Sequence, residues 1–169
     1  MKVPKVKVPE IKLPELPEVT PKRVGVAADL GTPLGAQRCA LAVRAAGHDV
    51  SFDDPDPARV RLAREAGLRE SGMADAQVVL SSLPHDAALE QVARRVATEA
   101  PRGALWIDTS TVSPGASARA AATVGAAGID NLRCTVSGNN HMAEAARLTV
   151  MASGPPAAWD LAEPLLAAL

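Results

Sequence analysis

The sequence of 169 residues has no tyrosine, one phenylalanine (Phe52), two tryptophans (Trp106 and Trp159) and two cysteines (Cys39 and Cys134). Two cysteines are too few for a disulfide scaffold and point to buried or reduced thiols. There is no apolar run near the ~20 residues that a membrane helix needs, and the N-terminus carries prolines and alternating charge where a secretory signal has an apolar core. A cytoplasmic protein with no membrane partner is expected. Net charge is −1, which excludes an electrostatic nucleic-acid binder. Lysine is absent after Lys22, and every fixed positive charge from Arg23 onward is an arginine.

What is present is alanine and aliphatic residues. The hydrophobic fraction of 47% is ample for a globular core and argues against wholesale disorder. Composition divides the chain into an arm, 1–23, and a globular part, 24–169. The arm holds six positive and three negative charges, against 12 positive and 16 negative in the remainder. Five prolines (Pro4, Pro9, Pro14, Pro17, Pro21) punctuate it, the first four each preceded by Val or Leu. Each proline fixes φ and pushes its predecessor out of the helical region. The arm is therefore expected to be extended, near polyproline II. It reads either as a solvated spacer or as a docking arm for a partner.

From Val24 onward, short apolar runs alternate with Ala/Leu/Arg stretches of helical composition. Strands are expected at 24–28, 49–52, 76–83, 104–108, 129–136 and 146–152. Helices are expected at 35–48, 56–67, 85–100, 113–128 and 155–169, the last interrupted or kinked at Pro164. Gly47 and Gly67 serve as stops, and Ser113-Pro114 is an N-cap followed by a proline at the first helical position. This alternation specifies an α/β fold, a Rossmann-type doubly wound and mainly parallel sheet. Such sheets bind ligands beyond the carboxyl ends of their strands, at the point where strand order reverses.

The first strand-to-helix turn runs from Asp29 to Ala36 and contains Gly31, Thr32, Leu34 and Gly35. Glycines at such a turn let the backbone approach a pyrophosphate, and the helix N-terminus supplies free N–H donors. Aligned as GxGxxG/A, the match is Gly31, Pro33 and Ala36, with proline at the second glycine position; Gly35 offers a shifted register. The turn reads as a phosphate cradle or as a structural turn. The second strand ends in Asp53-Asp54. Asp54 has the spacing of a ribose-binding carboxylate, which favours NAD over NADP, although Arg59 or Arg61 could meet a phosphate. The alternative is a polar turn before a helix.

Three further stretches each follow a strand. They are Ser82-Leu83-Pro84, the run Ile107-Asp108-Thr109-Ser110-Thr111-Val112-Ser113-Pro114, and Thr135-Val136-Ser137-Gly138-Asn139-Asn140. With AAGHDV (45–50) and ARLTVMASG (146–154), their order resembles the NAD(P)-binding domain of the β-hydroxyacid dehydrogenases, the family of 3-hydroxyisobutyrate and 6-phosphogluconate dehydrogenases. The resemblance spans about 24–169. It implies a nicotinamide dinucleotide, NAD or NADP, and oxidation of a small β-hydroxy acid. It places Leu83, Pro84, Ser110 and Thr111 at the nicotinamide, and Ser137 and Gly138 at the substrate. Capping and turn formation are the alternative for the hydroxyl residues. His48 and Cys39 read as structural.

The departures from that family bear on activity. The segment between Gly67 and Ala76 is short, so a helix is expected to be lost there, and Asn139 stands for the second glycine of the usual SGG. The resemblance implies a general acid/base lysine on a helix after the nucleotide domain, yet residues 23–169 contain no lysine. Arginine stays protonated and cannot accept a proton. No catalytic residue is assigned within the chain, and the histidines and cysteines lack metal-ligand spacing. Three readings follow: a cofactor-binding or scaffold module inactive by itself, an oxidoreductase completed by a partner chain, or a cofactor-free interaction protein. A final helix without a covering domain would expose Trp159, Leu161, Leu165 and Leu166, which favours a homo-oligomer or a partner.

Overall fold

The structure is a computed structural model that describes residues 23–28, 40, 43–138, 142 and 147–167. The expectations for the arm, for Gly31, Thr32, Leu34 and Gly35, and for Cys39 lie outside the described residues. Arg23, grouped with the arm by composition, opens the first strand.

Seven strands are described: β1 (Arg23–Ala28), β2 (Asp49–Asp53), β3 (Arg69–Glu70), β4 (Val78–Ser82), β5 (Leu105–Asp108), β6 (Asp130–Ser137) and β7 (Thr149–Ser153). Four helices are fully described: α1 (Pro57–Glu65), α2 (Asp86–Glu99), α3 (Pro114–Ala126) and α4 (Pro156–Leu166). Residues 40 and 43–45 are also helical. The strands form one sheet in the order β3-β2-β1-β4-β5-β6-β7. Every neighbouring pair is parallel except β6 and β7, which are antiparallel. From β1 the chain winds outward through β2 and β3, then returns to place β4 on the other side of β1. The order therefore reverses between β1 and β4, the doubly wound arrangement expected from the sequence.

Parallel strands need cover on both faces, so their sequences are apolar on both sides. On one face Val24, Val50, Phe52, Leu80, Ile107 and Leu132 pack with Ala158, Ala162, Leu165 and Leu166 of α4. On the other, Val79 and Trp106 pack with Leu89, Ala93 and Val96 of α2 and Ala116, Ala120 and Val124 of α3. Each fully buried aliphatic side chain stabilises the fold by about 1.5–3 kcal/mol relative to exposure. The buried positions on α2 and α3 recur at three- and four-residue steps, which puts each set on one helical face.

Local chemistry sets the helix ends. Asp56 caps α1 by accepting the Ala58 N–H at 2.9 Å, with Pro57 following. Ser113 caps α3 through the Ala116 N–H at 3.2 Å, ahead of Pro114. His85 caps α2, its Nδ1 accepting the Ala88 N–H at 3.1 Å. Gly67, at φ +79°, follows α1 in the left-handed region, where a Cβ would stand 2.8 Å from the Arg44 guanidinium.

Some details depart from the sequence-based expectation. The two-residue β3 is too short to leave a pattern of its own. Residues 71–77 join it to β4 without a helix, in line with the shortened segment. Pro164 lies inside α4 rather than interrupting it. The expected exposure of α4 is corrected: Leu165 and Leu166 are buried, Trp159 is half-buried against the core, and only Leu161 of the four is exposed. The helix rolls its Ala158-Ala162-Leu165-Leu166 stripe onto the sheet, so its apolar face is already used. His48 is buried, as a structural residue would be.

Candidate functional site

All the parallel strands point their carboxyl ends to one edge of the sheet. β1 ends there at Ala28, and the chain leaves the other strands there at Asp53-Asp54 after β2, Leu83-Pro84 after β4, Thr109–Ser113 after β5 and Ser137-Gly138 after β6. The order reversal between β1 and β4 lies in the middle of this edge. Asp54 stands on one side of it. Leu83, Pro84, Ser110 and Thr111 stand on the other, and Ser137 and Gly138 lie farther along.

A ladder of polar groups runs just beneath the β4–β6 part of that edge. Strand register places Ser81 beside Asp108, Asp108 beside Arg133, and Arg133 beside Ser153. All four share the sheet face covered by α2 and α3. Asp108 is 2% exposed and organises the ladder. Its Oδ1 accepts the Ser81 hydroxyl at 3.0 Å, the Ser110 N–H at 3.2 Å and the Ser110 hydroxyl. Its Oδ2 accepts from the Arg133 guanidinium, which also donates to the Ser110 carbonyl. The Ser81 hydroxyl accepts the Trp106 indole N–H at 3.0 Å, and the Ser110 hydroxyl accepts the Leu83 N–H at 2.9 Å. Thr109 donates to the Ser81 carbonyl from its N–H and its hydroxyl, at 2.8 and 2.9 Å. Buried polar groups are tolerated only when satisfied in this way.

The site residues divide accordingly. Pro84 and Thr111 are exposed at the edge and available to a ligand, as are Ser137 and Gly138. Leu83 and Ser110 are buried, and the Ser110 hydroxyl is turned into the ladder. Asp54 is buried in its own turn. Its carboxylate accepts the Asp56 N–H at 2.8 Å and lies 3.4 Å from the Arg59 guanidinium. Gly138 has φ +148°, a conformation that favours glycine, and a Cβ there would also displace the end of the Leu148 side chain, 2.6 Å away. An open groove of about 710 Å³ lies away from the switch point, between α3 and the β6–β7 end of the sheet.

Two groups next to the site have shifted acidity. Asp86, at the start of α2, accepts the Ser113 hydroxyl at 2.5 Å and the Ser113 N–H at 2.9 Å, tying the N-termini of α2 and α3 together. These bonds hold its carboxyl below the ordinary value. Burial, with the Asp108 charge nearby, pushes the Cys134 thiol up to about 11. Among the described residues no cluster of His, Cys, Asp and Glu could hold a metal.

Sequence reasoning quoted Asp108 in its motif without giving it a role, and missed Ser81, Trp106 and Arg133. A partial signal was available: VVLS and LWID each put a polar residue at an inward position of an otherwise apolar strand, whereas Arg133 sits in a largely polar strand. Only the strand register shows that these polar residues are neighbours.

Comparison with known proteins follows this geometry. Residues 30–169 match the family described as the NAD binding domain of 6-phosphogluconate dehydrogenase. The Mycobacterium tuberculosis 3-hydroxyisobutyrate dehydrogenase, solved with L-serine, is 26% identical, with a TM-score of 0.81 over 88% of this chain and 52% of that one. The 3-hydroxyisobutyrate dehydrogenase of Salmonella typhimurium is 25% identical, with a TM-score of 0.76 over 87% of this chain and 53% of that one. The Streptomyces aurantiacus imine reductase shares the fold at 20% identity and a TM-score of 0.71, over 87% of this chain and 52% of that one. No curated protein matches the sequence. The chain thus spans about half the length of the solved relatives it resembles. On the family match over residues 30–169, with a doubly wound sheet beneath it, the chain belongs to the family of the NAD binding domain of 6-phosphogluconate dehydrogenase.

Proposed function

We propose that the β1–β4 switch point of this chain seats a nicotinamide dinucleotide, with the adenosine half over β2 and the nicotinamide half over β4 and β5. The observation that carries this reading is the placement of Asp54 on one side of the reversal and of Leu83-Pro84 and Thr111 on the other. Dinucleotides lie across such a crevice, with the acidic residue after the second strand on the ribose side. The groups suit the cofactor in kind: exposed Pro84, backed by buried Leu83, is an apolar border for a flat ring, the exposed Thr111 hydroxyl suits a polar edge, and the Asp54 carboxylate would meet ribose hydroxyls on leaving its bonds to the Asp56 N–H and Arg59. Gly31, Thr32, Leu34 and Gly35 are proposed for the pyrophosphate, and Ser110 as the support of its neighbours.

When bound, the cofactor supplies the nicotinamide ring that accepts or donates hydride. Ser137 and Gly138 are proposed to hold the carboxylate or hydroxyl of a small β-hydroxy acid; serine, present with the M. tuberculosis relative, belongs to that class. NAD is proposed over NADP, because the Asp54 carboxylate would repel a 2′-phosphate, although the Arg59 guanidinium beside it offsets part of that repulsion. The family resemblance places the acid/base on a lysine and residues 23–169 hold none, so proton transfer is assigned to a group outside this stretch. The chain by itself is then a cofactor-binding module without dehydrogenase turnover. A partner chain or a second copy completing the site is the alternative within the same reading. A reducing, cytoplasmic setting suits the free thiol of Cys134.

The test is titration of the purified chain with NADH and NADPH, followed by fluorescence, together with an assay for oxidation of small β-hydroxy acids. Saturable NADH binding without turnover is expected. Steady turnover by the chain alone would refute the assignment of proton transfer to an outside group.

A further inference from the structure

We propose that Arg133 is a positioning residue for the nicotinamide half of the cofactor, acting through Asp108 and Ser110 from a strand that does not itself border the switch point. The inference rests on the dinucleotide reading above and adds a residue that neither the sequence motifs nor that reading assigns.

The geometry is a chain of held groups. The Arg133 guanidinium donates in two directions, to Asp108 Oδ2 and to the Ser110 carbonyl. Asp108 in turn accepts the Ser110 N–H and hydroxyl, and the Ser110 hydroxyl accepts the N–H of Leu83. Ser110 is thereby held at its carbonyl, its N–H and its side chain. The turn after β5 is tied to the turn after β4 by the Ser110 hydroxyl and to β6 by Arg133. Pro84 and Thr111, the exposed ends of these turns, are the groups proposed to border the nicotinamide.

Arg133 suits this role chemically. A guanidinium is a rigid planar fork that can hold a carboxylate and a carbonyl together, whereas an ammonium is a point charge on a flexible stem. Its side chain is 18% exposed and that of Asp108 is 3%, so salt screens the pair less than it would an exposed one. The adenosine side is separate. Asp54 is held by its own turn, through the Asp56 N–H and Arg59, with no ladder residue between. Disturbing Arg133 should therefore move one half of the binding site and leave the other in place.

The test compares NADH with ADP-ribose, which shares the adenosine half and lacks the nicotinamide. Both are titrated calorimetrically into the unaltered chain, Arg133→Ala and Arg133→Lys. Arg133→Lys keeps a cation beside Asp108 and decides the matter if Arg133→Ala does not fold. The expected result is NADH affinity reduced about tenfold in the folded variant, since small misplacements of positioning groups carry losses of this order or larger, with ADP-ribose affinity kept within about twofold. Amide exchange at Leu83 should also accelerate, a readout that needs no cofactor. Equal losses for both ligands, or no loss for either, would overturn the role of Arg133. Failure of the unaltered chain to bind either ligand would overturn the dinucleotide reading itself, while Leu83 exchange would still show whether the lock exists.

Discussion

The Ser110 hydroxyl lies 2.9 Å from the backbone nitrogen of Leu83 and accepts its N–H, while donating to Asp108. One side chain thus joins the turns after β4 and β5. Ser110→Ala leaves the buried Leu83 N–H without that partner, and a buried unsatisfied donor costs about 1–3 kcal/mol. Urea unfolding should show a loss in that range with an unchanged slope. A variant as stable as the parent would mean that the turns hold their shape without this bond.

The ion pair of Asp108 and Arg133 should be costlier to break. Removing one member of a sheltered pair leaves the other charge uncompensated, which typically costs about 3–5 kcal/mol. Asp108→Ala is expected near the lower end, because Arg133 keeps 18% of its side-chain exposure and can reach water. A double-mutant cycle with Arg133→Ala, read by chemical denaturation, should return a coupling energy of about 0.5–3 kcal/mol. Strictly additive losses would contradict the ladder.

Much of the fold was legible before any coordinates, because parallel βαβ units write themselves as buried runs alternating with capped helices. VVLSS, LWID and the Ser113-Pro114 start of α3 fall where the pattern puts them. The edge was less legible. Strand β3 has two exposed residues and no periodicity, and the exposure of α4 depended on which way its apolar stripe rolled. The site was readable as motifs but not as a network. The link from Ser81 through Asp108 to Arg133 crosses 52 positions of sequence and exists only once three strands take their register. The resemblance places Ser110 beside the nicotinamide, and no motif shows that its hydroxyl is turned inward to Asp108 and Leu83.

Asp54 offers a test of cofactor choice. Its carboxylate starts the turn into α1 by accepting the Asp56 N–H at 2.8 Å, and it neighbours Arg59. Asp54→Asn keeps an acceptor for the turn and removes the charge. The variant should fold, and its ratio of NADH to NADPH affinity should fall, since the repulsion of a 2′-phosphate by the Asp54 carboxylate is gone. An unchanged ratio would refute the ribose assignment.

The Cys134 thiol should resist alkylation. Its pKa is raised to about 11 by burial, so the neutral thiol is the favoured form in the folded chain. Because the folded value lies above the unfolded one, this contribution to stability is complete below the ordinary thiol range and is lost as pH rises towards 11. In a Cys39→Ala background at pH 8, alkylation should be at least about 100-fold slower in the folded chain than in urea, as a thiolate deficit of two pH units requires. Equal rates in the two states would contradict the burial of Cys134.

The central claim, that this sheet edge seats a nicotinamide dinucleotide, is tested most directly by the melting temperature of the purified chain as NADH is added. Ligand that binds only the folded state stabilises it by about 2.7 kcal/mol at 100 times its dissociation constant, which for a domain of this size is a rise of several degrees. The expected result is a saturable upward shift with NADH, smaller with NADPH. A flat melting temperature up to millimolar concentrations of both cofactors would contradict it.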